Sequence, residues 1–174
     1  MVYCLRCCLC YLKNEERVLR MNFELVGPFS KSSKDIFAQV GNIQMEVEDA
    51  YEKREVELKN NIGIVVGLTG SLKGQVIIDI PSEVGKKIAS NMMGGMPIAT
   101  LDDIAKSAIC EMGNMIMGSA ATNLYDLGLT IDITPPSIIS GREIKMKTVE
   151  DQVLCIPFKS EEDIIEINIS VKEK

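Results

Sequence analysis

Between Asp103 and Leu127 the apolar residues recur at helical spacing, and no proline interrupts them. Ile104, Ala108, Ile109, Met112, Met115 and Ile116 share one broad arc of a 3.6-residue wheel, which predicts a long helix packed by that face. Ser107, Glu111 and Asn114 fall together outside the arc, because offsets of four and three residues stack on consecutive turns. Gly118 continues this polar stripe one turn later, and Gly113 sits beside Asn114 in the chain. Asp102 and Asp103 suit the amino-terminal cap, and Gly128 suits the stop. A helix that packs by one face and displays an acid, an amide and bare backbone on another is built to be touched.

The remaining periodicities predict two more helices and a run of strands. Pro28 suits the first turn of a helix reaching about Gly41 through Ile36, Phe37 and Val40. A second helix opens at Pro81-Ser82-Glu83, runs through Met93 and ends at Gly94-Gly95 and Pro97. Ile43–Glu48 and Glu55–Leu58 read as strands with charged outer faces, separated by an acidic, polar turn. Ile62–Leu68 is an unbroken apolar run of the kind buried on both faces. Thr69-Gly70-Ser71 turns the chain, and Gly74–Ile80 returns as its hairpin partner. Leu129–Thr134 is extended, Pro135-Pro136 makes a rigid corner, and strand-like runs follow at Ser137–Ser140, Glu143–Thr148, Leu154–Phe158 and Ile164–Val171. The last alternates strictly: Ile165, Ile167, Ile169 and Val171 should face the core, and Glu166, Asn168, Ser170 and Lys172 should face out. Helices segregated from antiparallel strands predict an α+β fold, a two-layer sandwich of a mostly antiparallel sheet against long helices. Asp35-x3-Gln39-x2-Asn42 in the first helix repeats the spacing of Ser107-x3-Glu111-x2-Asn114, which hints at an internal duplication.

The first twenty residues read differently. Cys4, Cys7, Cys8 and Cys10 crowd an extension with no second ligand pair downstream to close a tetrahedral metal site. With Met21 as a natural start, residues 1–20 are set apart from a single domain covering 21–174. At 174 residues a second domain would be cramped.

Composition narrows the chemistry. Hydrophobic residues at 46% and charged residues at 25% describe a globular rather than a disordered chain. A net charge of −6 argues against a nucleic-acid binder or adhesion to an acidic membrane surface, and with no Trp and 5% aromatics base stacking has no platform. The absence of histidine removes His metal sites, Ser-His and Cys-His triads and the commonest general base together. No secretory signal and no apolar run long enough to span a membrane are evident, so a reducing cytoplasm with free thiols is expected. Most polar features have plain readings. Asp102-Asp103 cap a helix, Lys86-Lys87 and the Lys145, Lys147 pair are surface patches, Cys110 and Cys155 are packing thiols, and the methionines fill core and interface. On spacing alone, an exposed Glu and Asn three apart are a solvated helix face.

What lifts the stripe above that reading is resemblance. Ser107-Ala108-Ile109-Cys110-Glu111-Met112-Gly113-Asn114 resembles the D/S-x3-E-x2-N signature of the CheX branch of the CheC/CheX/FliY chemotaxis phosphatases, and Pro135-Pro136 match the family's trailing proline. DITPPSIISGREIKMK at 132–147 and GLTGSLKGQVIIDIPSEVGKKIASNMMGG at 67–95 are similar to CheX context as well, and the resemblance extends from Met21 to Val171. It implies a CheC-like sandwich that hydrolyses the aspartyl phosphate of a CheY-like response regulator in the cytoplasm, acting as a homodimer. Glu111 and Asn114 would be the pair that matters, Asn114 holding the in-line water and Glu111 docking on a lysine of the partner. Ser107, Gly113, Gly118, Pro135 and Pro136 would support the surface or admit the partner. No cofactor of its own is implied; Mg²⁺ would sit on the response regulator. Gln39 replaces the glutamate in the first-helix copy, so Asp35, Gln39 and Asn42 are taken as a vestige. The competing reading is a non-catalytic module that binds a receiver or the flagellar switch without speeding hydrolysis.

Overall fold

Two ten-residue strands, β4 (Asn61–Gly70) and β5 (Leu72–Pro81), form the centre of the molecule as the expected hairpin, pairing from Asn61 with Pro81 to Leu68 with Gly74. The computed structural model describes residues 24–58, 61–141, 143–148, 150, 152–160 and 163–173, so the cysteine-rich extension lies outside the described residues. Ahead of the hairpin come a helix over 24–39 (α1) and three short strands, β1 (Glu46–Val47), β2 (Tyr51–Lys53) and β3 (Val56–Leu58). After it come α2 (Ser82–Met92), α3 (Asp103–Asp126), β6 (Ile131–Ile133), β7 (Ser137–Ser140), β8 (Ile144–Met146), β9 (Val153–Lys159) and β10 (Ile164–Glu173). All pairings are antiparallel, in a main sheet ordered β1-β9-β10-β5-β4-β6, with β2 on β9 and β7 on β4, and a separate pair β3-β8.

Period-two alternation sends one row from each long strand to a common face. Ile62, Ile64 and Val66 of β4, Val76, Ile78 and Ile80 of β5, Ile165 and Ile167 of β10, and Ile156 and Phe158 of β9 are buried there in one core with the three helices. Phe37 of α1 meets Phe158 edge to face, with ring centroids 5.5 Å apart at 77°. Two asparagines tie the helices together: Asn91 Nδ2 donates to the Gly41 carbonyl at 2.6 Å, and Asn123 Nδ2 donates to Ser32 Oγ at 2.8 Å. The two-layer α+β sandwich is as expected.

Several expectations need correction. Pro28 lies inside α1, which is already helical at residue 24, rather than at its first turn. The acidic segment expected to turn includes β2, whose Tyr51 and Lys53 both reach Glu166 of β10. Asn168 and Ser170 were expected on an open face, yet both are buried, because β3 and β8 fold over the back of the main sheet. Val56 and Leu58 of β3 pack there with Ile77 and Val153, and Gly63 leaves the space that Leu58 Cδ1 fills, 2.6 Å from where a Cβ would stand. The first-helix copy of the spacing does not form a stripe. α1 ends at 39, and Asn42 sits beyond it at φ 49°, so it cannot share a helix face with Asp35 and Gln39.

A candidate functional stripe on the long helix

The rotation of α3 about its axis decides which side chains face out, and local sequence settles that rotation. Asp102 caps the helix, its Oδ1 accepting from the Ala105 amide at 2.8 Å, and Asp103 adds an acid to the first turn. Ala105, Ile109, Met112, Ile116, Ala120 and Leu124 are buried, recurring at intervals of three and four. Two glycines bring helices against β4. A Cβ on Gly85 of α2 would stand 2.5 Å from Ile62 Cδ1, and one on Gly113 would stand 2.9 Å from Ile64 Cγ2. Gly113 is therefore a correction: it is buried, and the close approach it allows is that of helix to sheet, not of a partner.

The opposite side carries the predicted stripe. Ser107 and Glu111 are exposed, Asn114 is half-buried, and Gly118 is exposed with open space where a Cβ would go. Ser107 Oγ donates to the Asp103 carbonyl at 2.8 Å, so this hydroxyl is engaged with its own helix, and Thr122 Oγ1 does the same to Gly118 at 3.1 Å. Among the described residues, neither Glu111 nor Asn114 has a hydrogen-bond partner for its side chain. One turn apart and unengaged, an acceptor and a donor–acceptor amide face solvent together.

Pro135 and Pro136 lie where β6 gives way to β7. Both strands pair with β4, but Leu68 opposes Ile133 while Val65 opposes Ser137, so the chain carries one extra residue between them. Prolines suit such a bulge, since they have no amide to leave unpaired. Thr134 closes its near side: its amide donates to the Gly67 carbonyl at 3.0 Å, and its Oγ1 accepts from the Gly67 amide at 2.9 Å. β6 and β7 both touch α3, which places the proline corner on the strand border beside the helix.

Ile104 departs from expectation in the other direction. Assigned to the apolar arc by periodicity, it is 65% exposed. At about 100° per residue it stands about 140° from the middle of the buried arc and about 20° from Glu111, which is the stripe's own side. The signal that could have found it was present in the wheel: it stands at the edge of the arc, about 80–140° from the buried Met112, Ile116 and Ile109, and it opens the helix, where fewer neighbours cover it.

A second polar group sits on the back of the sheet. Glu166 accepts from Tyr51 Oη at 2.9 Å and from Lys53 Nζ. Burial pushes the Glu166 carboxyl up, but the hydrogen bonds and charge of Lys53, with help from Tyr51, outweigh it and hold the group below its ordinary value. Burial pushes the Cys155 thiol up to about 11 and raises that of Cys110 as well, so neither is an activated nucleophile. Lys86 pairs with Glu83 at 2.8 Å and Lys145 with Glu55 at 3.5 Å, so these lysines engage neighbouring surface carboxylates. Among the described residues no group of three or more Cys, Asp or Glu is placed to hold a metal ion, and no helix is long and apolar enough to cross a membrane.

The fold and the stripe together describe a helix-on-sheet scaffold that presents one acid and one amide at its surface. The family described as chemotaxis phosphatase CheX matches residues 62–159, which span β4 to β9 and contain the whole stripe. The chain is 42% identical over 150 residues to the CheY-P phosphatase CheX of Thermotoga maritima, covering 85% of this chain and 93% of that protein. A crystal structure of a CheX-CheY-BeF3-Mg²⁺ complex from Borrelia burgdorferi is 29% identical with a TM-score of 0.69, covering 85% of this chain and 97% of that one. The chemotaxis protein CheX of Desulfovibrio desulfuricans shares the fold at a TM-score of 0.78 and 24% identity, over 86% of this chain and 99% of that one. The chain belongs to the CheX family of chemotaxis phosphatases.

Proposed function

We propose that this protein is a phosphatase for the phosphorylated receiver of a CheY-like response regulator, and that α3 is the element it inserts. The observation that carries the reading is the pairing of Glu111 and Asn114 on consecutive turns, both facing solvent and both without a partner among the described residues, in a chain 42% identical to a CheY-P phosphatase. An aspartyl phosphate is an acyl phosphate and already labile, so the enzyme needs no nucleophile of its own. Hydrolysis needs one water held in line with phosphorus and opposite the aspartyl oxygen, which is mainly positioning. Asn114 is suited to hold that water, because its amide oxygen accepts from the water while its NH₂ can donate to a phosphoryl oxygen. Water's oxygen bonds to phosphorus, the bond to the aspartyl oxygen breaks, and the products are inorganic phosphate and the free carboxylate.

Glu111, one turn earlier and fully outside, fixes register by pairing with a lysine beside the partner's phosphoaspartate. Mg²⁺ is assigned to the receiver, where it neutralises phosphate charge; the beryllofluoride complex of the Borrelia relative supports that assignment. Ser107 keeps the helix surface in order, Gly118 leaves room for the partner, and Pro135-Pro136 shape the strand border next to it. Action in the cytoplasm as a homodimer belongs to the same reading. The outer edge of β7, bonded only to β4 among the described residues, is open to a second chain. The test is decay of a phosphorylated receiver with and without this protein: accelerated decay supports the reading, and unchanged decay alongside tight binding would favour a non-catalytic docking module.

A further inference from the structure

Ile104 is an exposed, branched, apolar side chain on a face otherwise made of Ser107, Glu111, Asn114 and Gly118. Nothing among the described residues covers it, and on the wheel it stands about 20° beyond Glu111, just outside the stripe's span of about 60°. The apolar residue at the other end of the same face is Tyr125, 68% exposed. At 1.5 Å per residue, Ile104 stands about 13 Å along the axis from the midpoint of Glu111 and Asn114, and Tyr125 about 19 Å. A standard interface buries about 800 Å² on each partner, a disc of radius about 16 Å. A receiver centred on the catalytic pair therefore covers Ile104 and leaves Tyr125 outside.

We infer that Ile104 is the apolar anchor by which this helix holds the receiver, a specificity-determining contact beside the catalytic pair. This rests on the proposed function. The occupant is the receiver and no other partner, because Ile104 is continuous with the face that must meet the phosphoaspartate. The matching receiver surface carries an apolar spot about 10–15 Å from its phosphoaspartate, the axial distance from Ile104 to Glu111 and Asn114. Asp102 and Asp103, both exposed at the same helix end, favour basic side chains around that spot.

The experiment compares wild type with Ile104→Ala and Tyr125→Ala in two assays. One is steady-state dephosphorylation of the host's CheY, and the other is direct titration of that CheY loaded with beryllofluoride and Mg²⁺. Ile104→Ala is expected to raise KM and Kd by about five- to thirtyfold at unchanged kcat, and Tyr125→Ala to leave both alone. Since Ile104 is exposed, thermal unfolding of the variant should match wild type. An unchanged Kd, or a fall in kcat at constant KM, would overturn the anchor. If wild type speeds no decay yet binds in an Ile104-dependent way, the phosphatase reading fails and the anchor stands.

Discussion

The same substitution at two positions of α3 should have opposite signs. Gly113→Ala and Gly118→Ala each replace glycine inside one helix, so each gains the same helix propensity, about 1 kcal/mol. They differ in what the new methyl meets. At Gly118 nothing lies within 4 Å, whereas at Gly113 the methyl would stand 2.9 Å from Ile64 Cγ2 and 3.2 Å from its Cδ1. Relaxed carbon–carbon contacts are about 3.5–4.0 Å, so one partner must move by half an ångström or more. Ile64 is fully buried and stiff at χ1, and its Cγ2 cannot swing away as the end of a long side chain would. Overpacking of this kind costs about 1–3 kcal/mol. Gly118→Ala is therefore expected to stabilise by about 0.4–1 kcal/mol. Gly113→Ala should be neutral to destabilising by about 2 kcal/mol once propensity is subtracted. The gap between the variants cancels propensity and isolates the contact, at about 1–3 kcal/mol. For a chain of this size that is a Tm difference of about 2–12 °C. Urea and thermal unfolding followed by circular dichroism measure it. Ile64→Val, which removes the Cδ1 methyl, should recover part of the loss only in the Gly113→Ala background, with a coupling of about 0.5 kcal/mol or more. A Gly113→Ala protein as stable as Gly118→Ala would refute the helix-on-sheet role assigned to Gly113.

Other consequences follow from the stripe and the back of the sheet. Glu111→Lys should raise KM for a phosphorylated receiver more than tenfold by setting like charges together, and the penalty should shrink at high salt if the pairing is with a lysine. Glu166 has a lowered pKa in the folded state, so its contribution to stability is present above its ordinary value of 4.5 and is lost as pH falls through the lowered one. Lys53→Met should therefore flatten the acid limb of the stability–pH curve below about 4.5, measured by urea unfolding across pH. Cys155 is the converse case: its raised value favours the protonated thiol in the fold, so stability should fall as pH climbs from 9 through about 11, and Cys155→Ser should reduce that slope, most clearly between pH 9 and 10, below the range where the raised Tyr51 hydroxyl adds a slope of the same sign.

The hydrophobic pattern carried most of the fold because the long elements are strongly periodic. The 24-residue α3 and the ten-residue β4, β5 and β10 stand where alternation and helical spacing put them. The misses share a cause: they depend on what another part of the chain does. The alternation of β10 identified two faces, but only the fold-over of β3 and β8 decides that Asn168 and Ser170 are buried too. β2 exists because Tyr51 and Lys53 find Glu166, 115 and 113 residues away in sequence. Gly113 looked like open backbone beside Asn114, and only the proximity of Ile64 gives it a packing role. Ile104 was assigned to the apolar arc by periodicity, but it stands at the edge of that arc in the first turn, where no other element among the described residues covers it. The stripe itself was legible because three- and four-residue offsets are local geometry, and the absence of histidine limited what such a stripe could do. The Gln39–Asn42 echo was misleading for the same reason: spacing is informative only while the helix continues, and α1 stops first.

The central claim is that Asn114 holds the attacking water while the receiver supplies the rest. Its most direct test is single-turnover decay of the host's phosphorylated CheY at saturating wild type and Asn114→Ala, with binding of the beryllofluoride-loaded receiver measured in parallel. The account expects the acceleration to fall by about a hundredfold or more in the variant, the loss typical of a misplaced reacting group, while Kd changes little. Acceleration that survives in Asn114→Ala at unchanged affinity would contradict it.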